Sequence, residues 1–181
     1  MKKFELTAEF VTNVFGKKLF RIKALVAFGD VEKGELGGFI EKEDNLSHDG
    51  NAWVYGNARV FGNAQVYGNA WVFGNAQVSG DARVYGDARV SGNAQVSGDA
   101  RVYDAADYAV VKGFGRCFRT TTFFRCKDKI LRVQCGCFYG DLAQFREIVK
   151  KTHGDSKYAK EYLAIADLME LHFSDECGGE Q

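Results

Sequence analysis

The sequence predicts a mainly β protein: a parallel β-helix of about four coils, an N-terminal β-hairpin cap and a small C-terminal α+β domain. Three observations carry this expectation. The motif Ala-x-Val-x-Gly-(Asn/Asp) recurs in step, with alanine at 52, 58, 64, 70, 76, 82, 88, 94 and 100 and valine two residues after each. The residues before the repeat alternate about a turn signal at Gly16-Lys17. Beyond Tyr103 the six-residue period stops and strand-like, then helix-like, patterning takes over.

Alanine and valine two apart point to the same face of an extended segment, so each repeat offers one small apolar pair to an interior. Glycine followed by Asn or Asp supplies a corner, because both tolerate the left-handed backbone of a tight turn. Three such sides close a triangular coil of 18 residues, and coils stack about 4.8 Å apart with parallel pairing. Counting back from Ala52, Ile40 and Leu46 fall in the alanine column and Lys42 and His48 in the valine column, so an irregular first coil is expected from Gly37. The expected division is a hairpin cap over 1–36, the β-helix over 37–103, the α+β domain over 104–173 and a frayed tail over 174–181.

Outward positions 18 apart stack, which sorts them by face. One face carries Trp53, Tyr55, Trp71 and Phe73, more aromatic surface than a monomer leaves wet. These four are the candidate oligomer interface; a covering segment of the same chain and a ligand platform are the alternatives. Another face carries Tyr67, Tyr85 and Tyr103 beside Arg83 and Arg101, which reads first as cross-strand stacking and second as a surface for a planar or anionic partner. Asn57, Asn75 and Asn93 form an expected amide ladder.

After the repeat, strands are expected over Ala109–Val111, Arg116–Cys126 and Ile130–Cys137, with a turn at Lys127-Asp128-Lys129. Two helices follow. Asp141 caps the first, with Leu142, Phe145, Ile148 and Val149 on its apolar face and Gly154 at its end; Asp155 or Ser156 caps the second, with Tyr158, Tyr162, Ile165, Ala166, Met169 and Phe173 inward.

The Ala-x-Val pair at a six-residue period resembles the hexapeptide-repeat, left-handed parallel β-helix proteins, best known from trimeric acyltransferases. That resemblance implies left-handed winding and a homotrimer. The chain departs from it in carrying Tyr, Phe or Ser after valine. The whole chain also resembles bacteriophage and prophage proteins, through Gly37-Gly38-Phe39-Ile40, the run Asn51–Ala58, Thr120–Phe124 and Cys135-Gly136-Cys137-Phe138. This implies a small phage protein in the bacterial cytosol that binds or sequesters a host defence protein or a nucleotide signal.

Lys+Arg and Asp+Glu are 24 each, so the chain as a whole is not drawn to nucleic acid or membrane. The exception is the segment 112–132, with seven basic residues and one acid. Within it and flanked by phenylalanines, Arg116, Arg119, Arg125 and Arg132 are the candidate anion- or nucleotide-binding residues, weighed against a solvated strand face. No apolar leader segment and no long apolar run is present, and five cysteines are expected to be free thiols. A trimeric acyltransferase would need a catalytic histidine in its cleft, and His48 is the one histidine in the coils. The spacing of Cys126, Cys135 and Cys137 is not that of a zinc site, and no phosphate loop or nucleophile elbow occurs, so no catalytic residue, metal or cofactor is assigned.

Overall fold

The computed structural model describes residues 1–174. Of the expected frayed tail, 175–181 lies outside the described residues, as does Cys177.

Two antiparallel strands, β1 (Phe4–Thr12) and β2 (Lys18–Ala24), form the N-terminal hairpin, and β3 (Leu36–Ile40) continues it. Its turn is closed by Asn13, whose side-chain Oδ1 accepts the Phe15 and Lys17 N–H groups at 3.0 Å each. The nine repeats then form nine two-residue strands. They are β4 (Trp53–Val54), β5 (Arg59–Val60), β6 (Gln65–Val66), β7 (Trp71–Val72), β8 (Gln77–Val78), β9 (Arg83–Val84), β10 (Arg89–Val90), β11 (Gln95–Val96) and β12 (Arg101–Val102).

Strands three apart in sequence pair in parallel: Trp53 with Trp71, Arg59 with Gln77, Gln65 with Arg83. These are the three faces of a β-solenoid. The corner glycines from Gly56 to Gly98 have φ between +63° and +72°, the backbone that makes them glycine. Every alanine and valine of the nine repeats is buried, and each buried valine contributes roughly 1.5–3 kcal/mol. Outside, corner amides link coils, as in Asn51 Nδ2 donating to Asn69 Oδ1 at 3.2 Å and Asn75 Nδ2 to Asn93 Oδ1 at 3.3 Å. The rings of Tyr67 and Tyr85 stack at 5.1 Å and 8°.

The first coil departs from the register expected of it. Phe39 pairs with Arg59, Ile40 with Val60, and Leu46 bridges Val66. The offset there is 20 residues, so Ile40 and Leu46 stand in the valine column rather than the alanine column. Between Leu46 and Asn51 the chain spends two extra residues turning the corner. Lys42 and His48 are therefore released from the interior, and Lys42 is exposed.

A β-stack ends in a row of carbonyls with no coil above to bond them. Backbone N–H groups serve part of that row: Phe39 to Ala58 O, Glu41 to Val60 O and Ser47 to Val66 O. Side chains serve the rest. The Asn45 amide donates to Gly62 O (3.1 Å) and Ala64 O (2.8 Å). The Lys3 ammonium donates to Gly50 O (3.3 Å) and Ala52 O (2.8 Å) and sits 4.6 Å over the Phe28 ring. Both residues are buried.

The opposite end is closed by a four-stranded antiparallel sheet, β13 (Tyr108–Phe114), β14 (Arg119–Arg125), β15 (Leu131–Cys135) and β16 (Phe138–Asp141). Residues 130–137, expected as one strand, are split by a turn at Gly136-Cys137 that starts β16. Alternation along the sheet gives it two jobs. Thr122, Phe124 and Gln134 face the last coil: Thr122 Oγ1 accepts the Gln95 N–H at 3.0 Å, and Ser97 Oγ donates to Gln134 Oε1 at 3.1 Å. Phe123, Val133 and Cys135 face two helices, α1 (Leu142–His153) and α2 (Lys157–His172). Asp141 and Ser156 are their N-caps, each side chain accepting a backbone N–H three residues on. Tyr158 and Ile148, expected inward, are 38% and 37% exposed.

Candidate functional site

The turn from Gly115 to Phe118, the turn at Gly136-Cys137 and the last turns of α1 enclose a cleft on the helix side of the sheet. Its volume is about 390 Å³. Arg116, Cys117, Arg119 and Cys137 stand at its exposed mouth, and Phe138, Phe145, Val149 and Tyr162 form its walls.

Local chemistry explains why these groups meet. The Gly115 N–H donates to Glu161 Oε2 at 2.9 Å, which ties the β13–β14 turn to α2. A β-carbon at Gly115 would lie 2.2 Å from the Tyr162 hydroxyl, so only glycine lets the turn approach this closely. Arg119 begins β14 on the same face as Phe123, hence over the cleft. Inside, Phe145 holds Phe138 at 5.6 Å and Tyr162 at 5.8 Å between ring centres. Burial, with Cys135 nearby, pushes the Tyr162 hydroxyl up to about 12, so it stays a neutral donor, directed at Phe114 O at 3.4 Å. Thr121 Oγ1 donates to Cys135 Sγ at 3.2 Å.

The four arginines expected to share an anion site do not converge. Arg116 and Arg119 line the cleft, and among the described residues no carboxylate forms an ion pair with either. Arg125 ends β14, about 20 Å from Arg119 at ~3.3 Å per residue. It donates to Phe173 O at 3.1 Å and stands 3.7 Å from Asp107. Arg132 alternates onto the solenoid side and pairs with Asp128 at 2.7 Å. The length of β14 separates Arg125 from Arg119 and alternation turns Arg132 to the other face, and close sequence spacing conceals both.

The expected oligomer face also changes. Trp53 is fully buried beneath the N-terminal segment, with Phe28 at 5.3 Å and Phe4 at 6.4 Å. It therefore contributes no surface; the covering segment of the same chain is what meets it. Tyr55 is 44% exposed, Trp71 and Phe73 are half-buried, and the Arg89 guanidinium lies 5.4 Å over the Trp71 ring.

His48 is engaged in the cap. Its Nδ1 accepts the Lys3 N–H at 3.2 Å and its ring stacks on Phe4 at 4.3 Å. Cys126 lies in the solenoid core, away from Cys135 among the helices, and Cys137 is exposed in its turn. Among the described residues no three His, Cys, Asp or Glu side chains gather as metal ligands, and no helix is long and apolar enough to cross a membrane.

The walls of the cleft went unrecognised in the sequence because Phe145, Val149 and Tyr162 carry the same periodicity as core. The one available signal was the glycine interrupting the strand at Gly136.

The geometry defines a repeat β-solenoid protein with a strand-and-helix domain docked on its last coil. Comparison agrees for the repeats. Residues 52–66, 64–80, 76–92, 82–96 and 94–106 match the profile of the YdcK beta solenoid repeat. No curated protein matches the chain.

Proposed function

We propose that this is a non-catalytic binding protein. In this reading the solenoid is a rigid spine, and the cleft between the C-terminal sheet and α1 holds a small organic anion. The observation that carries it is a pair of arginines at the mouth of a cleft with apolar walls, Arg116 and Arg119, neither in an ion pair among the described residues. Unneutralised guanidinium groups beside low-dielectric walls attract an anion, and a planar fork suits a carboxylate or phosphate. Sequestration of a host component or signal, which the phage resemblance implies, is a use such a cleft would serve. The proposal includes left-handed winding and a homotrimer formed through Tyr55, Trp71 and Phe73, without Trp53.

Native mass spectrometry of gently purified protein tests it. A trimer mass with a small anionic adduct is expected, and the adduct should vanish in the Arg116→Gln/Arg119→Gln variant. An adduct that survives in that variant would place the site elsewhere. A monomer mass would remove the trimer, and the absence of any bound or exchangeable anion would remove the binding reading.

A further inference from the structure

The cleft has features that select among anions. Its volume of about 390 Å³ is at the small end for a ligand cleft. Its walls are mostly rings and aliphatic carbon, from Phe138, Phe145, Tyr162, Ile148 and Val149, with Thr152 and His153 at the α1 end. The polar group deepest among them, the Tyr162 hydroxyl, already donates to Phe114 O. Thr152 is exposed and His153 half-buried at the α1 end, so among the rings themselves little is left to bond a sugar or the edge of a base, and burying such groups unpaired is costly. The two cations stand together at the mouth, so charge belongs at one end of the ligand and apolar surface at the other.

Resting on the binding reading above, we propose that the cleft takes an aromatic acid: one anionic head, carboxylate or phosphate, on one or two fused rings. The head meets Arg116 and Arg119. The ring enters between Phe138 and Tyr162, where edge-to-face and offset contacts are available. A nucleoside monophosphate would bring a sugar and a base edge whose polar groups the apolar walls leave unpaired. Inorganic phosphate would meet the arginines and leave the apolar walls wet.

The test is titration calorimetry of the full chain with four probes: indole-3-propionate, phenyl phosphate, adenosine monophosphate and inorganic phosphate. The aromatic acids are expected to bind at least tenfold more tightly than the other two. Between them, a preference for indole-3-propionate assigns a carboxylate head and a preference for phenyl phosphate a phosphate head. Arg116→Gln/Arg119→Gln should weaken the favoured probe at least tenfold. Ile148→Trp, at a 37% exposed position on the wall, should exclude the ring while leaving weak phosphate binding. Independently of any variant, the favoured acid should slow alkylation of Cys117 and Cys137 in the native protein. Tighter binding of the nucleotide or of inorganic phosphate would overturn the aromatic-acid assignment and leave the anion site standing. Binding of none of the four would overturn both.

Discussion

Asn45 is the residue on which the upper edge of the solenoid depends most directly. It is fully buried, its amide donates to Gly62 O and Ala64 O, and its Oδ1 accepts the Lys42 N–H at 2.9 Å. It thus replaces a strand that the irregular first coil does not provide. At a net ~1 kcal/mol per hydrogen bond, Asn45→Ala should cost about 3 kcal/mol. For a chain of this length that corresponds to a Tm lowered by about 6–12 °C. The sharper perturbation is Asn45→Asp, nearly the same shape. It keeps the acceptor for Lys42 but turns a carboxylate oxygen toward two carbonyls, so it should destabilise more than alanine does. The folded state then favours the protonated acid and raises its pKa above the unfolded value. Stability is present at low pH and lost as pH rises through that raised pKa. Thermal denaturation of the three proteins from pH 4 to pH 8 reads both effects. An Asn45→Asp variant as stable as wild type at pH 8 would refute the donor role and, with it, the way the edge is closed.

Two further outcomes are expected. Burial lowers the Lys3 ammonium to about 8 from an ordinary 10.5, partly offset by Asp49, so between pH 8 and pH 10.5 the unfolded chain holds a proton the folded chain has lost. Stability should therefore rise across that window relative to Lys3→Met, measured by urea denaturation, and a flat difference would contradict it. Burial, with Asp99 beside it, pushes the Cys126 thiol up to about 12. Mass-mapped alkylation of native protein should label Cys117 and Cys137 quickly and Cys126 only on unfolding; equal rates would mean that the C-terminal sheet is not docked on the last coil.

The parts legible in the sequence are those where one residue type answers one geometric need. Ala, Val and Gly-Asn at fixed spacing specify an interior, a side and a corner, and Asp141, then Asp155 or Ser156, are read as helix caps because such side chains serve local N–H groups; the structure selects Ser156. The illegible parts are relational. The two extra residues between Leu46 and Asn51 shift the first coil, and nothing in the periodicity downstream announces them. Trp53 resembles Trp71 in sequence, yet one is covered by Phe4 and Phe28 and the other is only partly covered. Arg119 and Arg132 lie close in sequence, but the alternation of two paired strands sends them to opposite faces of the sheet. The cleft itself arises where the Gly115 and Gly136 turns meet α1, three segments whose juxtaposition no local pattern encodes.

If an anionic ligand enters the cleft of the C-terminal domain rather than a face of the solenoid, the two halves of the molecule should respond differently to it. Amide chemical-shift mapping on titration with indole-3-propionate separates these alternatives residue by residue. Perturbations are expected to be confined to residues near 115–120, 135–138 and 148–153, with the coils from Ala52 to Val102 unmoved. Perturbations centred on Tyr67, Tyr85 and Tyr103, or on Tyr55, Trp71 and Phe73, would contradict the cleft and move the binding site to the solenoid.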